Sequence, residues 1–406
     1  MKDVVITHGV RTPIAKIGAS LHTIGEDDLA AMVVEELLYS RAKLKQKDEV
    51  DHVILGNVKQ SSNPSNIARV AALKAGLPQT VPAYTVHRQC GSGLQAIMDA
   101  YQMILCDEAE LIVAGGAESM SRSVYFMRNS RSGLGIGNYS VEDSLTAGGP
   151  GAIPAQKYGN RPMGITAENL AEMYKISRYA QDRFAHSSQE KAAKAIAEGR
   201  FNEQIMPIKT PNGTTFNADE HPNLSSIEKL AALKPAFIKD GTVTAGNSSG
   251  RNDGAAAVLV MSAQKAALLG YSPIIRIRSI AASGCDPVIM GISPVECTRI
   301  ALKRAELTIN DIDVIELNEA FAAQAIAVSE EWEKWGITRR ALNEKLNPNG
   351  GAIALGHPLG CTGAALTVKC MYELLRIPTH KYGLITLCCA GGVGAAVIIE
   401  KTECTS

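Results

Sequence analysis

Five short stretches carry side chains able to do chemistry. In TVHRQCGSG, residues 85–93, Cys90 ends a strand-like run and is followed by Gly91, Ser92 and Gly93, which open the apolar run LQAIMDAYQMIL. A thiol on such a turn faces a helix N-terminus, whose N–H groups and macrodipole favour the thiolate, so its pKa is expected to fall. In GGAIALGHPLG, residues 350–360, His357 precedes Pro358, and proline suits the first turn of a helix. An imidazole there can act as a base or a hydrogen-bond donor near neutral pH. In TLCCAGGVG, residues 386–394, Cys388 ends a strand before a glycine turn and Cys389 should point to the opposite face. A second thiol can give and take protons. In LNEAFAAQA, residues 317–325, Asn318 either holds a water or substrate oxygen or caps a helix beginning at Glu319. In TVTAGNSSGRNDGAAAVLV, residues 242–260, Ser248, Ser249 and Gly250 either line a ligand channel or form a turn with Asn247. Each stretch alone also reads as ordinary packing: a buried thiol, a core histidine, a turn. GLGIGN, residues 133–138, resembles a dinucleotide loop but has no strand before it and no helix after it.

The elements that must position these residues come twice. LLYSRAKLKQKDEVDHVILGN (37–57) and ALKRAELTINDIDVIELNEA (301–320) each run from a helix-like segment into a short Val/Ile strand ending in x-V-I-x-x-N, at Asn57 and Asn318. Cys90 follows Asn57, and His357 follows Asn318. Helix-like apolar runs come next: Leu94, Ile97, Tyr101 and Ile104, then Ala365, Val368, Met371 and Leu374. The strands ELIVAGGAE (110–118) and GLITLCCAGG (383–392) follow. The chain therefore reads as a duplicated α/β unit with helices on the faces of its sheets. The expected division is 1–120 plus 250–272 for the first half, 121–249 for an inserted loop domain, and 273–406 for the second half. The insertion is rich in Gly, Ser, Pro and Asn up to Gly164; a helix with Thr166 as N-cap, then one over 177–199, is expected beyond it.

Composition narrows the function. Lys plus Arg equals Asp plus Glu at 41 each, so no field favours nucleic acid or a membrane surface. No secretory signal or uninterrupted apolar span is read, and Cys404-Thr405-Ser406 is no peroxisomal address. The nine cysteines have neither disulfide-framework nor metal-ligand spacing, which favours a reduced cytoplasmic setting without a metal.

CGSG after a strand, TAGNSSG-x-NDGAAA, NEAFAAQA, GGAIALGHPLG and CCAGG occur in the order and at about the spacing of the thiolases, and GGAESMS resembles a thiolase stretch too. The resemblance runs from about Val4 to about Glu400. It implies a five-layered α-β-α-β-α fold with an inserted loop domain, a dimer or dimer of dimers, and acyl-CoA substrates with no cofactor beyond coenzyme A itself. By position, Cys90 resembles the acylated nucleophile, His357 its activating partner, and Cys388 the acid/base at the acetyl-CoA α-carbon. Asn318 resembles the residue holding a water beside the enolate oxygen, and the N–H groups of Cys90 and Ala390 resemble an oxyanion hole. Phe237, Ala245 and Ser249 match positions along the pantetheine channel. Met163 and Met290 match positions near the acyl pocket, and Phe321 of NEAFAAQA joins the expected substrate contacts. Three departures stand out: Ala390 where glycine is usual, His87 where asparagine is common, and no arginine after Asp219-Glu220, where Lys229 is the nearest substitute. RPMGITAE and GHPLGCTGA resemble degradative 3-ketoacyl-CoA thiolases more than acetoacetyl-CoA thiolases, which more often carry histidine where Pro162 stands. A ketoacyl synthase shares the fold but lacks a catalytic second cysteine. A non-catalytic acyl-CoA- or lipid-binding relative would be expected to lose Cys90, His357 or Cys388, and all three are present.

Overall fold

The computed structural model describes residues 2–60, 63–272 and 275–402. The start of the expected second half at 273 and the terminal Cys404-Thr405-Ser406 lie outside the described residues. The longer strands are β1 (Val4–Arg11), β2 (His52–Gly56), β3 (Ala83–Val86), β4 (Leu111–Ser119), β5 (Asn252–Ser262), β6 (Ile275–Gly284), β7 (Val314–Leu317), β8 (Tyr382–Cys389) and β9 (Val393–Lys401). They follow the order β7-β8-β9-β6-β1-β5-β4-β2-β3. Among the longer strands, β2 pairs in parallel with β3 and β4, and β7 with β8; the buried β2 and β7 are the Val/Ile runs that the sequence repeats. Among the described residues, Val5–Arg276 and Ile6–Ile275 join β1 to β6, and the two half-sheets meet at this seam.

The duplication is visible in the register. Gly56 faces Gly116 across β2 and β4, and Leu317 faces Thr386 across β7 and β8. Glu118 faces Gly254, and Cys388 faces Gly394. Register shifts recur between Ile6 and His8 in β1 and between Ile277 and Ser279 in β6.

The main helices are α1 (Glu26–Glu35), α2 (Ile67–Lys74), α3 (Ser92–Leu105), α4 (Met163–Met173), α5 (Arg178–Ala197), α6 (Ser293–Ala305), α7 (Ala322–Glu333) and α8 (Leu359–Arg376). Side chains of α1 and α2 form one core with the outer face of the first half-sheet, and α6 and α7 form another with the second. Between the half-sheets lie α3 and α8, which bury Leu94, Ile97 and Ile104 against Val368, Met371 and Leu374. These are the apolar faces read from the sequence, and the result is five layers, α-β-α-β-α. The two central helices cross so closely that a Cβ on Gly93 would sit 2.6 Å from the Gly360 carbonyl oxygen, and one on Gly363 would sit 2.2 Å from the Leu94 nitrogen. A side chain at either point would force the helices apart.

Residues 121–249 form hairpins of two-residue strands, Tyr125–Phe126 with Glu142–Asp143 and Ile208–Lys209 with Thr215–Phe216, together with α4 and α5. The N-cap of α5 is Ser177, which accepts from the Ala180 N–H. Thr166 is not a cap. It lies inside α4, where its hydroxyl donates to the Met163 carbonyl, and Pro162 holds the cap position because a proline there has no N–H to satisfy. GLGIGN lies in exposed irregular chain. Among the described residues, no helix is long and apolar enough to cross a membrane, and no His/Cys/Asp/Glu cluster could hold a metal ion.

Candidate active site

The strand β3 stops at Val86, and Gln89 takes φ 49°, a left-handed conformation that turns the chain sharply. Ser92 locks this turn: its hydroxyl accepts from the Arg88 N–H at 2.9 Å and donates to the Gln89 carbonyl at 2.6 Å. Gly91 caps α3, so Cys90 stands half-buried at the helix N-terminus. The expected fall in its pKa is not what the site produces. Burial pushes the thiol up to about 11, outweighing the Ala390 and Cys90 N–H groups and the Lys59 charge, which pull the other way. A dry pocket penalises the thiolate by more than the nearby amide donors favour it.

His357 is 4% exposed, and burial lowers its imidazole to about 4. The His357 backbone N–H donates to Asn252 Oδ1 at 2.9 Å. Its Nδ1 lies 2.6 Å from Thr362 Oγ1, while the Thr362 hydroxyl donates to the Pro358 carbonyl at 2.9 Å. A hydroxyl has one hydrogen. With that hydrogen on Pro358, the Thr362 oxygen accepts from Nδ1–H, and Nε2 is left as a bare acceptor with no protein partner. Pro358 is the N-cap of α8 rather than a first-turn residue.

A cavity of about 270 Å³ brings Cys90, His357 and Ala390 together with Met163, Met290, Phe321, Phe237 and Ser249. Phe237 and Phe321 meet edge to face at 6.2 Å, and the Ser249 N–H is held by the Ala320 carbonyl at 3.0 Å. Three of the expected residues stand off this cavity. Cys388 is fully buried in an apolar cluster with Met290, Phe321 and Ala320; burial first, then Cys90, raises its thiol well above the usual range. Asn318 adjoins a void of about 20 Å³ shared with Pro358 and Thr362, and neither Oδ1 nor Nδ2 has a partner. It caps nothing, because α7 begins at Ala322 with Phe321 as its cap. Ala245 lines a neighbouring cavity of about 310 Å³ with Lys229, Leu233 and His221. A cleft of about 810 Å³ beside α5 contains none of the expected residues.

Sequence reasoning passed over two residues that hold this arrangement. Thr362 fixes the imidazole. Glu118, fully buried at the end of β4, accepts from Asn57 Nδ2 and from the N–H groups of Val58, Lys59 and Gly360. It thereby ties the loop after β2 to the start of α8; burial raises its carboxyl to about 7. The GGAESMS stretch contains Glu118, but nothing local marks a carboxylate inside a strand as a hub.

The match to known proteins covers the same ground. Residues 4–264 fit the model of the thiolase N-terminal domain, and residues 271–401 fit that of the thiolase C-terminal domain. The chain is 46% identical to a probable acetyl-CoA acyltransferase of Staphylococcus epidermidis, over 99% of this chain and 100% of that one. It is also 46% identical to an acetyl-CoA acetyltransferase of Pseudomonas aeruginosa, with the same coverage. Among solved structures it resembles the Bacillus anthracis acetyl-CoA acetyltransferase (TM-score 0.93, 43% identity) and human mitochondrial 3-ketoacyl-CoA thiolase (TM-score 0.92, 40% identity), each over 99% of both chains. The chain belongs to the thiolase family, and it is an acyltransferase enzyme of that class.

Proposed function

We propose that this thiolase cleaves 3-ketoacyl-CoA with coenzyme A through an acyl-Cys90 intermediate, releasing acetyl-CoA, and that it accepts acyl groups longer than acetoacetyl. The observation that carries the reading is the bare, buried Nε2 of His357 lining the same cavity as the Cys90 thiol. With the thiol near 11 and the imidazole near 4, the resting pair is neutral. Cys90 therefore gives its proton to Nε2 as its sulfur attacks the keto carbon, rather than beforehand. The Ala390 and Cys90 N–H groups, which favour charge on that sulfur, serve on this reading as the donors for the tetrahedral oxyanion. The alanine side chain at 390 leaves its amide donor in place. Breaking the carbon–carbon bond expels an enolate. Asn318, with both amide atoms free, holds a water against the enolate oxygen, and Cys388 protonates the carbon. Met163 and Met290 border the acyl end, and methionine adapts to chains of different length.

The same reading takes 1–120 plus 250–272 and 273–406 as the two halves and 121–249 as the cover, and it takes the active species as a cytoplasmic dimer or tetramer. Exposed Val124, Tyr125, Leu134, Ile136 and Val141 on the cover support assembly. The central test is mass spectrometry after incubation with acetyl-CoA: an acetyl group on the peptide containing Cys90 is expected, and a label on any other residue refutes the assignment. Thiolysis of four- to ten-carbon substrates tests chain length. A steep fall beyond four carbons would make the protein an acetoacetyl-CoA thiolase.

A further inference from the structure

Two cations line the active-site cavity, and apart from the pull of Lys59 on the Cys90 thiolate neither has a task in the reaction just described. Lys59 follows β2 on the loop that Glu118 holds, and its ammonium donates to the Ser144 carbonyl at 2.7 Å. Arg251 follows the Ser249-Gly250 turn and faces the same space. The fields of Glu118 and Asp143 reach Lys59, and Arg251 acts on Asp143, but the oxygens of both carboxylates accept their hydrogen bonds from other groups. Asp143 accepts from the Leu145 N–H at 2.9 Å and from the Thr146 hydroxyl at 2.8 Å. Glu118 is filled by the donors named above. An ammonium has three donors, and the carbonyl takes one. Beside a saturated acyl chain the remaining donors of half-buried Lys59 would lose water with nothing in return, while Arg251 stands exposed at the mouth of the same cavity. Beside a carboxylate they would make charge-assisted hydrogen bonds, the strong kind.

We propose that Lys59 and Arg251 bind a second, terminal carboxylate on the acyl chain, so that the preferred substrate is a 3-oxo-dicarboxylyl-CoA. This rests on the thiolase reading above and narrows its substrate class. The phosphates of coenzyme A are the other anions at hand, but they lie a whole pantetheine arm from the reacting sulfur. Lys59 shares a wall with Cys90 and His357 and lies within the field of the Cys90 sulfur.

The test compares two six-carbon 3-oxoacyl-CoA substrates of equal length, one ending in a carboxylate and one in a methyl group, with acetoacetyl-CoA as the reference. The native enzyme is expected to favour the carboxylate substrate at least about 10-fold in kcat/KM. Lys59→Met and Arg251→Gln should each cut that ratio several-fold, mainly through KM. A native ratio at or below one overturns the proposal while leaving the thiolase reading intact. If variants slow all three substrates equally, the cations act on Cys90 and not on the acyl tail, and the proposal fails. If KM for coenzyme A rises while the ratio stays fixed, they serve its phosphates, and it fails again. Turnover of none of the three substrates by the native enzyme would instead refute the underlying activity.

Discussion

Replacing Thr362 with valine removes one oxygen and keeps the shape. In the native site that oxygen accepts from His357 Nδ1–H at 2.6 Å, and its hydrogen goes to the Pro358 carbonyl at 2.9 Å. Valine leaves the imidazole N–H buried without a partner, at a cost of about 1–3 kcal/mol. The ring can escape that cost by moving its proton to Nε2, the nitrogen that the proposed reaction uses to accept from Cys90. Either way the reactive tautomer loses about 1–3 kcal/mol, so kcat should fall roughly 5- to 150-fold. Thr362→Ser restores the hydroxyl and should recover most of the rate. The assay is thiolysis of acetoacetyl-CoA, read with the pH dependence of Cys90 alkylation by iodoacetamide and with a melting curve to show that the variant is folded. If Thr362→Val is folded and within twofold of the native kcat, the tautomer argument is wrong.

Three further outcomes follow from the same geometry. Cys388→Ser should still acquire an acetyl group on Cys90 but lose exchange of the acetyl-CoA α-protons with solvent, whereas His357→Asn should slow both; proton NMR of the exchange distinguishes them. His357 titrates near 6.5 unfolded and near 4 folded, so the folded state binds the proton less readily, and stability present above pH 6.5 is lost as pH falls towards 4. That loss is about 3 kcal/mol, and urea unfolding of His357→Asn should show a correspondingly shallower decline. Gly363→Ala places a methyl group against the Leu94 backbone and should lower stability by about 1–3 kcal/mol or more, measured by thermal melting.

The repeat of helix, polar link and Val/Ile strand was legible because buried parallel strands demand continuous apolar runs, and both halves use them. The turn at Cys90 was legible because two glycines and a serine after a strand end have few other uses. The thiol's upward shift was not: the sequence indicates a helix N-terminus, but how dry the surrounding pocket is depends on Met163, Phe237 and Phe321, which arrive from distant segments. The cap at Thr166 was misplaced because a threonine inside a helix can bond its own preceding turn equally well. The sequence alone fits Asn318 as a cap or as a ligand-facing amide, and what excludes the cap is that the chain stays extended to Phe321, a fact of tertiary packing. Lys59 and Arg251 were invisible as a pair, because nothing local brings a loop after β2 beside a turn before β5.

The two halves also explain why chemistry falls where it does. Gly56 with Gly116 and Leu317 with Thr386 set equivalent registers, so Asn57 corresponds to Asn318 and Glu118 corresponds to Cys388, each facing a glycine, Gly254 or Gly394. In the first half the long carboxylate reaches back and takes the amide of Asn57 at 3.0 Å, and the pair becomes part of the frame. In the second half the short thiol makes no such bond, and both amide atoms of Asn318 stay free inside the protein. A buried amide without partners is costly, typically 1–3 kcal/mol for each lost bond, and it is tolerated where a bound molecule supplies what the protein withholds. The same scaffold position thus carries a carboxylate that locks one half and a thiol that leaves the other open. On the function proposed above, that open amide is the one that holds water against a reacting oxygen, whereas the Asn57 amide nitrogen is already committed to Glu118 and the Ala117 carbonyl.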